Sequence, residues 1–421
     1  MEEVYQLPQR QQRFARRQFD WRVIALIGVA HASSHFFQLV IPSLFVPLSQ
    51  AFGLNFAQLG MLATVFYVVS GIGQAASGFV VDKLGPRPVL WFGLSGFVVA
   101  GLLLASATSY GWLLFAAFVA GLGNCVFHPV DFSILNHRVS SPRLGHAFST
   151  HGMTGNLGWA LTPIFITTLT YLYNWRVAAL GASVLLALVL LATVLGRRLI
   201  DVDVRRNARK ARKSKGGQAT AISDVRLRAL LVNPVVWGAF AFFLFASLAG
   251  SAVMNYTLPI LGSIHQIAPV VASSALSAYM VAGALGMAAG GFLVSNNPKT
   301  ERTVAATFFC AALMLTIVGM GWVPSSLAVP CVALAGFFSG VAGPSRDMLV
   351  RRVTPRGASG SVYGLVYSGM DTGSAIGPLL FGIMLDAGLN QGPYVGASLG
   401  FIMASLCAAF IGYRARKIAQ A

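Results

Sequence analysis

Charge is what this chain lacks. Lys, Arg, Asp and Glu make up 10% of its 421 residues, against about a quarter in an ordinary soluble domain. Acids are the scarcer sign, 12 Asp and Glu against 30 Lys and Arg. A soluble globule of this size could not cover its surface with so few charges. Cysteine is nearly missing as well: Cys125, Cys310, Cys331 and Cys407 fall singly in apolar runs. Their spacing suits neither a disulfide framework nor a thiolate metal site, which leaves them as small core residues. The segment Met1–Asp20 lacks the short apolar core and small-residue cleavage site of a signal peptide, so no cleavage is expected. No nucleophile–base pair, phosphate loop or cofactor motif is found, and neither an enzyme nor a bound cofactor is expected.

What the chain has is hydrophobicity, at 56% of residues and a mean hydropathy of +0.70. It is gathered in runs of about 20 residues, the length that crosses a bilayer as a helix. In hydrocarbon each backbone group needs an internal partner, so these runs must be helical. Twelve spans are expected, over approximately 22–48, 56–81, 88–107, 111–136, 144–172, 175–197, 233–262, 269–295, 302–322, 327–352, 357–386 and 392–413. With a cytoplasmic N-terminus, every Lys and Arg except Arg176 and Arg346 falls at a cytoplasmic end or loop. That asymmetry is the positive-inside rule, and it predicts cytoplasmic termini. The net charge of +18 is therefore a membrane signature and gives no reason to expect a nucleic-acid partner. Its densest part, Arg205 to Lys215, lies in a linker at 198–232, expected to rest against anionic headgroups. The linker divides the chain into a bundle at 1–197 and a second at 233–421.

Between the second and third spans runs Gly78-Phe-Val-Val-Asp82-Lys83-Leu-Gly85-Pro86-Arg87-Pro88. A helix ends, charges sit at the water boundary, and Gly85 with the prolines forces a turn. The halves also echo one another at an offset of 213–215 residues: Gly78 falls on Gly291, His137-Arg138-Val139 on Arg351-Arg352-Val353, and Pro163 on Pro378. A common offset favours a duplicated bundle. The loop, its position and the duplication resemble the major facilitator superfamily. Gly121-x-Gly123-x-x-Val126-Phe127-His128-Pro129 and Gly155-Asn156-x-Gly158-x-x-Leu161-x-Pro163 are similar to its fosmidomycin-resistance branch of bacterial inner-membrane efflux proteins. The resemblance implies twelve helices in two pseudo-symmetric six-helix bundles, a substrate site between them near the midplane, and proton-driven transport by a monomer. It also makes Asp82 a gate residue, pairing with a base such as Arg138 and with the start of the eleventh span, beside Arg87, Asp347 and Arg351.

Ionisable residues at membrane depth are functional candidates by default. In span one His31, Ser34, His35 and Gln38 share a helical face. Asn124, His128 and Asp131 do so in span four, Ser247, Ser251 and Asn255 in span seven, and Ser339, Gly343 and Arg346 in span ten. The resemblance makes these four spans the cavity lining, although Ser and Asn serve equally as interhelical glue. Asp131 and Arg346 are pseudo-equivalent and are expected to face each other across the cavity. His151 and Asp371 complete the candidates for substrate binding or proton coupling. Where relatives in the branch carry an acid in span one, this chain has His35, expected here to carry or relay the proton. The sequence predicts proton-coupled transport of a small organic compound, anionic or amphiphilic, in the direction of efflux. Two alternatives stand: proton symport of an organic acid anchored by Arg346, and passage of a transition-metal ion through the His and Asp side chains.

Overall fold

The computed structural model describes residues 9–202, 234–296, 300–353 and 359–420, and every element in them is a helix. They are α1 (Gln9–Gln38), α2 (Val40–Ser43), α3 (Phe45–Phe52), α4 (Phe56–Leu84), α5 (Pro86–Ala105), α6 (Tyr110–Asn124), α7 (Phe127–Arg138), α8 (Leu144–Leu172), α9 (Trp175–Leu195), α10 (Arg197–Ile200), α11 (Pro234–His265), α12 (Pro269–Asn296), α13 (Thr300–Gly319), α14 (Ser325–Val353), α15 (Ser359–Asp386) and α16 (Gly392–Gln420). Most of the expected basic linker lies outside the described residues.

Two expected spans are broken rods, and proline explains both. Pro42 and Pro47 have no N–H for the carbonyl one turn back, and the first span divides into α1, α2 and α3. The fourth divides between Asn124 and Phe127 for the same reason. Pro129 cannot donate to the Cys125 carbonyl, so the Ser77 hydroxyl of α4 donates to it instead at 3.0 Å. The break lies immediately before His128. The basic segment ahead of the first span is also helical from Gln9.

Among the described residues, nine helices are long and apolar enough to cross a membrane, by length and composition. The expected spans at 22–48, 144–172 and 357–386 are not among them. Their described residues are mainly helical, but polar residues lower the hydropathy: His31 to Gln38 in α1, His151, Thr154 and Asn156 in α8, and Ser368, Asp371 and Ser374 in α15.

Helix α1 packs on α8, α5 on α6 and α9, and α4 on α6. Beyond the linker α12 packs on α14, α11 on α15 and α16, and α13 on α14 and α16. The two sets meet mainly where α4 crosses α15 and α8 crosses α12. At the Phe56 end the first of these seams is tight. A Cβ on Gly60 would stand 2.1 Å from the Pro378 carbonyl oxygen, and one on Gly382 2.3 Å from that of Phe56. Asp386, at the last turn of α15, accepts from the Phe56 and Ala57 amides of α4, both at 2.7 Å. Gln58 N–H is taken by Asn55, whose own N–H the Gln58 side chain accepts. Thus three otherwise orphaned amides of α4 are satisfied, two of them across the seam. Thr64 donates to the Ala375 carbonyl at 2.7 Å, and the Tyr256 hydroxyl donates to that of Pro378.

Gly78 and Phe79 lie toward the other end of α4. A Cβ on Gly78 would have nothing within 4 Å, and Phe79 is 73% exposed. Its pseudo-equivalent Gly291 is equally free, beside Phe292 at 76% exposure.

The Asp386 cap can be tested directly. Losing a capping carboxylate costs about 0.5–2 kcal/mol, which shifts the balance between packed and separated ends by about 2- to 30-fold. Asp386→Ala is therefore expected to lengthen the distance between spin labels at Tyr173 and Leu389, both exposed and one on each side of the seam. An unchanged distance distribution would show that the cap does not hold this end.

Candidate functional site

The expected polar face of α1 reaches its partners through helices far away in sequence. Helix α7 carries Asp131, fully buried, and α8 carries His151, also buried. One carboxylate oxygen of Asp131, Oδ2, accepts from His31 Nδ1 at 3.0 Å and from His151 Nε2 at 3.2 Å. The two imidazoles stack, with ring centroids 3.4 Å apart and planes inclined by 22°. The other oxygen of Asp131, Oδ1, is buried with no hydrogen-bond partner. A buried carboxylate so placed costs free energy unless it is neutralised or fully bonded.

His35 lies one turn along α1, its ring centroid 4.5 Å from that of His31 and 4.1 Å from that of Trp159. Both of its ring nitrogens are buried without a hydrogen-bond partner. Space for these rings comes from Gly155 of α8, where a Cβ would stand 3.0 Å from His35 Cε1 and 3.1 Å from His31 Nε2. One turn on, a Cβ at Gly158 would meet the Ala32 carbonyl oxygen at 2.2 Å, so α1 and α8 touch backbone to backbone. His128 closes the group from α7, donating Nδ1–H to the Gln74 side-chain oxygen at 3.1 Å.

A second polar chain lies beside it. Trp159 Nε1 donates to Gln38 Oε1 at 3.0 Å, the Gln38 amide reaches Asn124 Oδ1 at 3.4 Å, and Asn124 donates to Ser70 Oγ at 2.7 Å. These contacts tie α1, α4, α6 and α8 together. His31, His35, Gln38, Asn124, His128, Asp131 and His151 are thus gathered into one region of the first half.

The remaining candidates are elsewhere. Asp131 is bonded within its own half, and Arg346 sits over the Phe243 ring at 5.1 Å, in the second half. Asn255 donates to its own helix, to the Ser251 carbonyl at 2.8 Å, and its Oδ1 is buried without a partner. Ser247 pairs with Ser374 at 2.7 Å, which makes it glue between α11 and α15. Asp371 lies on the seam between the halves, its Cβ 3.5 Å from where a Cβ on Gly71 would stand.

Of the expected gate, Arg87 pairs with Asp201 at 3.1 Å and lies over Trp91. Arg138 donates to the carbonyls of Leu199 and Arg198 at 2.9 and 2.6 Å and lies over Phe19. Both are held within the first half. The side chains of Asp82, Asp347 and Arg351 lie outside the described residues.

Gln74, Trp159 and Asp20 were missed. Asp20 is fully buried and takes Arg143 at 2.8 Å, with the Ser140 hydroxyl also donating to it, fixing the turn between α7 and α8. Its one sequence signal is the i, i+4 spacing from Arg16, which also reaches it at 3.4 Å.

The sequence profile described as Major Facilitator Superfamily matches residues 27–378. An uncharacterized MFS-type transporter, YfnC, of Bacillus subtilis is 27% identical over 87% of both chains. The fosmidomycin resistance protein of Escherichia coli is 33% identical, over 41% of this chain and 42% of its own. A membrane sensor protein, UhpC, of Salmonella typhimurium is 24% identical, over 74% of this chain and 73% of its own. Among solved structures, a bacterial homolog of the human lysosomal transporter Spinster, in an inward-facing and unoccupied conformation, superposes with a TM-score of 0.69. It is 15% identical and covers 96% of this chain and 98% of its own, a likeness of fold.

Proposed function

The chain belongs to the Major Facilitator Superfamily, and on that premise we propose that it is a proton-coupled exporter of a small organic compound, anionic or amphiphilic. The superfamily membership itself makes it a multi-pass membrane protein that moves a small molecule by alternating access, and not an enzyme. The proposal adds twelve spans in two bundles, 1–197 and 233–421, joined by the basic linker, in a monomer of the bacterial inner membrane with cytoplasmic termini. The charge asymmetry supports that orientation. In that frame the tight Phe56 end of the α4–α15 seam is periplasmic, and its closure supports an inward-facing state. The proposed gate contacts of Asp82, Arg87, Arg138, Asp347 and Arg351 then belong to the opposite state. The two bonds of Arg138 and the Arg87–Asp201 pair would have to yield or turn with the bundle for them to form.

The observation that carries proton coupling is the buried Asp131 carboxylate shared by His31 and His151, with His35 and His128 beside it. Ionisable groups at membrane depth mark proton routes. An unperturbed imidazole exchanges its proton near pH ~6.5, within the range a cell presents. His35, whose ring nitrogens are unbonded in this conformation, stands next in line to His31 and passes a proton to the His31–Asp131–His151 group. Asn255, Arg346 and Asp371 are left to substrate and gate, with Arg346 able to hold an anion through its planar fork. The fosmidomycin-resistance relative supports efflux.

The test is transport in proteoliposomes with an imposed pH gradient. Wild type is expected to concentrate substrate against its gradient. His35→Gln is expected to exchange substrate across the membrane but to ignore the pH gradient. If His35→Gln accumulates substrate as wild type does, the proton does not pass through His35.

A further inference from the structure

We propose that His31, His35 and His128 form a binding site for a late first-row divalent metal ion. One ring nitrogen from each lies within 4.8 Å of the others. Bonds of about 2.0–2.1 Å to a tetrahedral ion bring such nitrogens to about 3.4 Å apart. An approach of about 1.4 Å or less between pairs completes the site.

The pattern of hydrogen bonds argues more strongly than the distances. A histidine that ligates a metal usually has its other ring N–H fixed by a carboxylate or amide oxygen, which sets the tautomer and aims the lone pair. Two of these three already do so. His31 gives Nδ1–H to Asp131 Oδ2 at 3.0 Å, which leaves the lone pair on Nε2. His128 gives Nδ1–H to Gln74 Oε1 at 3.1 Å, which again leaves Nε2. His35, the third, has neither nitrogen engaged although both are buried. A bound cation gives that imidazole the partner it lacks.

The neighbouring set His31, Asp131 and His151 is equally close-knit, but the ring nitrogens facing the carboxylate, His31 Nδ1 and His151 Nε2, are its N–H donors and have no lone pair to offer there. Asp131 therefore orients ligands, and His151 shares it without ligating. Three imidazoles with no thiolate suit Zn²⁺, Co²⁺ or Ni²⁺ better than Mg²⁺ or Ca²⁺, which prefer oxygen. Three protein ligands also leave a fourth position open to water or to an anionic group.

The ion and the proposed coupling proton take the same lone pairs and are alternatives at this group. Metal binding is read without any transport measurement, so its failure and that of proton coupling are separate results. Purified, tag-free full-length protein in detergent is titrated with Co²⁺, and the visible ligand-field bands of low-symmetry Co²⁺ are recorded. Zn²⁺ is then added as competitor. The expected result is one Co²⁺ per chain, with bands that Zn²⁺ abolishes. His35→Gln and His128→Gln should each lose the bands, while Asp131→Asn should weaken binding by about 10- to 100-fold. His137→Gln, at an exposed histidine outside the group, should match wild type. Thermal unfolding and size exclusion identify any variant that fails to fold. The wild-type titration needs no variant: absence of the bands at millimolar Co²⁺ overturns the proposal. So does binding that survives in the folded double variant His35→Gln/His128→Gln.

Discussion

Gly60→Leu is expected to hold the Phe56 end of the α4–α15 seam apart and to stop the transport cycle. The site has no room to adapt on the side that matters, because the nearest atoms are the Pro378 carbonyl at 2.1 Å and its carbon at 2.6 Å. Backbone cannot rotate away as a side chain would, so the whole of α15 must move. Forcing extra atoms into a packed contact costs about 1–3 kcal/mol or more. Applied to only one of two conformations, such a cost changes their ratio by about 5- to 150-fold. The conformation in which this end is open carries none of it, so folding itself should survive. Spin labels at Tyr173 and Leu389 should report a longer distance than in wild type, with transport lowered in proportion. Gly78→Leu is the matched control: a Cβ there meets nothing within 4 Å in this conformation. It should leave the distance unchanged and, if it acts at all, should hinder closure of the opposite end. Normal transport by Gly60→Leu would mean that tight closure of this end is not part of the cycle.

Asp131→Ala is expected to remove transport and to lower the melting temperature. The wild-type carboxylate is fully buried and is the partner of both His31 Nδ1 and His151 Nε2. Truncation leaves two buried imidazole groups unpaired, at about 1–3 kcal/mol each. Asp131→Asn separates the two roles. Its amide oxygen can still accept from the imidazoles, so most of the stability should return. It cannot take up or release a proton, and gradient-driven accumulation should remain absent while substrate exchange down a gradient persists. Accumulation by Asp131→Asn equal to wild type would remove Asp131 from the proton route. Loss of exchange as well, in a folded protein, would instead place it in substrate binding.

Much of this molecule was legible in order of residues. Hydropathy runs and the scarcity of charge required membrane helices, because hydrocarbon leaves a backbone no other way to satisfy itself. The loop from Gly78 to Pro88 and the offset echo pointed to the superfamily that the profile match identifies. Helical periodicity grouped His31 with His35 and Gln38, and Asn124 with His128 and Asp131, and the structure gathers both sets in one region. The breaks were legible only in part: Pro42, Pro47 and Pro129 lack the donors that an unbroken helix needs, but Pro163, Pro259, Pro330, Pro344 and Pro378 lie inside continuous helices.

What the tertiary structure alone decided is which faces meet. Periodicity fixes the azimuth of a residue on its own helix but leaves free how neighbouring helices turn toward each other. Asp131 shared a face with Asn124 and His128 on its own helix; only the close approach of α1, α7 and α8 gave it His31 and His151 as partners. The glycines that permit that approach, Gly155 and Gly158, stood out in sequence as a motif, but the motif did not show that they would admit the rings of His31 and His35 and the backbone at Ala32. Asp20 passed for one acid in a basic lead, and Asp386 for the tail of a span, until folding brought Ser140 and Arg143 to the first and the amides of Phe56 and Ala57 to the second. Such contacts join residues more than a hundred positions apart. Only the packing of whole helices, in which backbone approach and buried polar groups must be satisfied together, selects them.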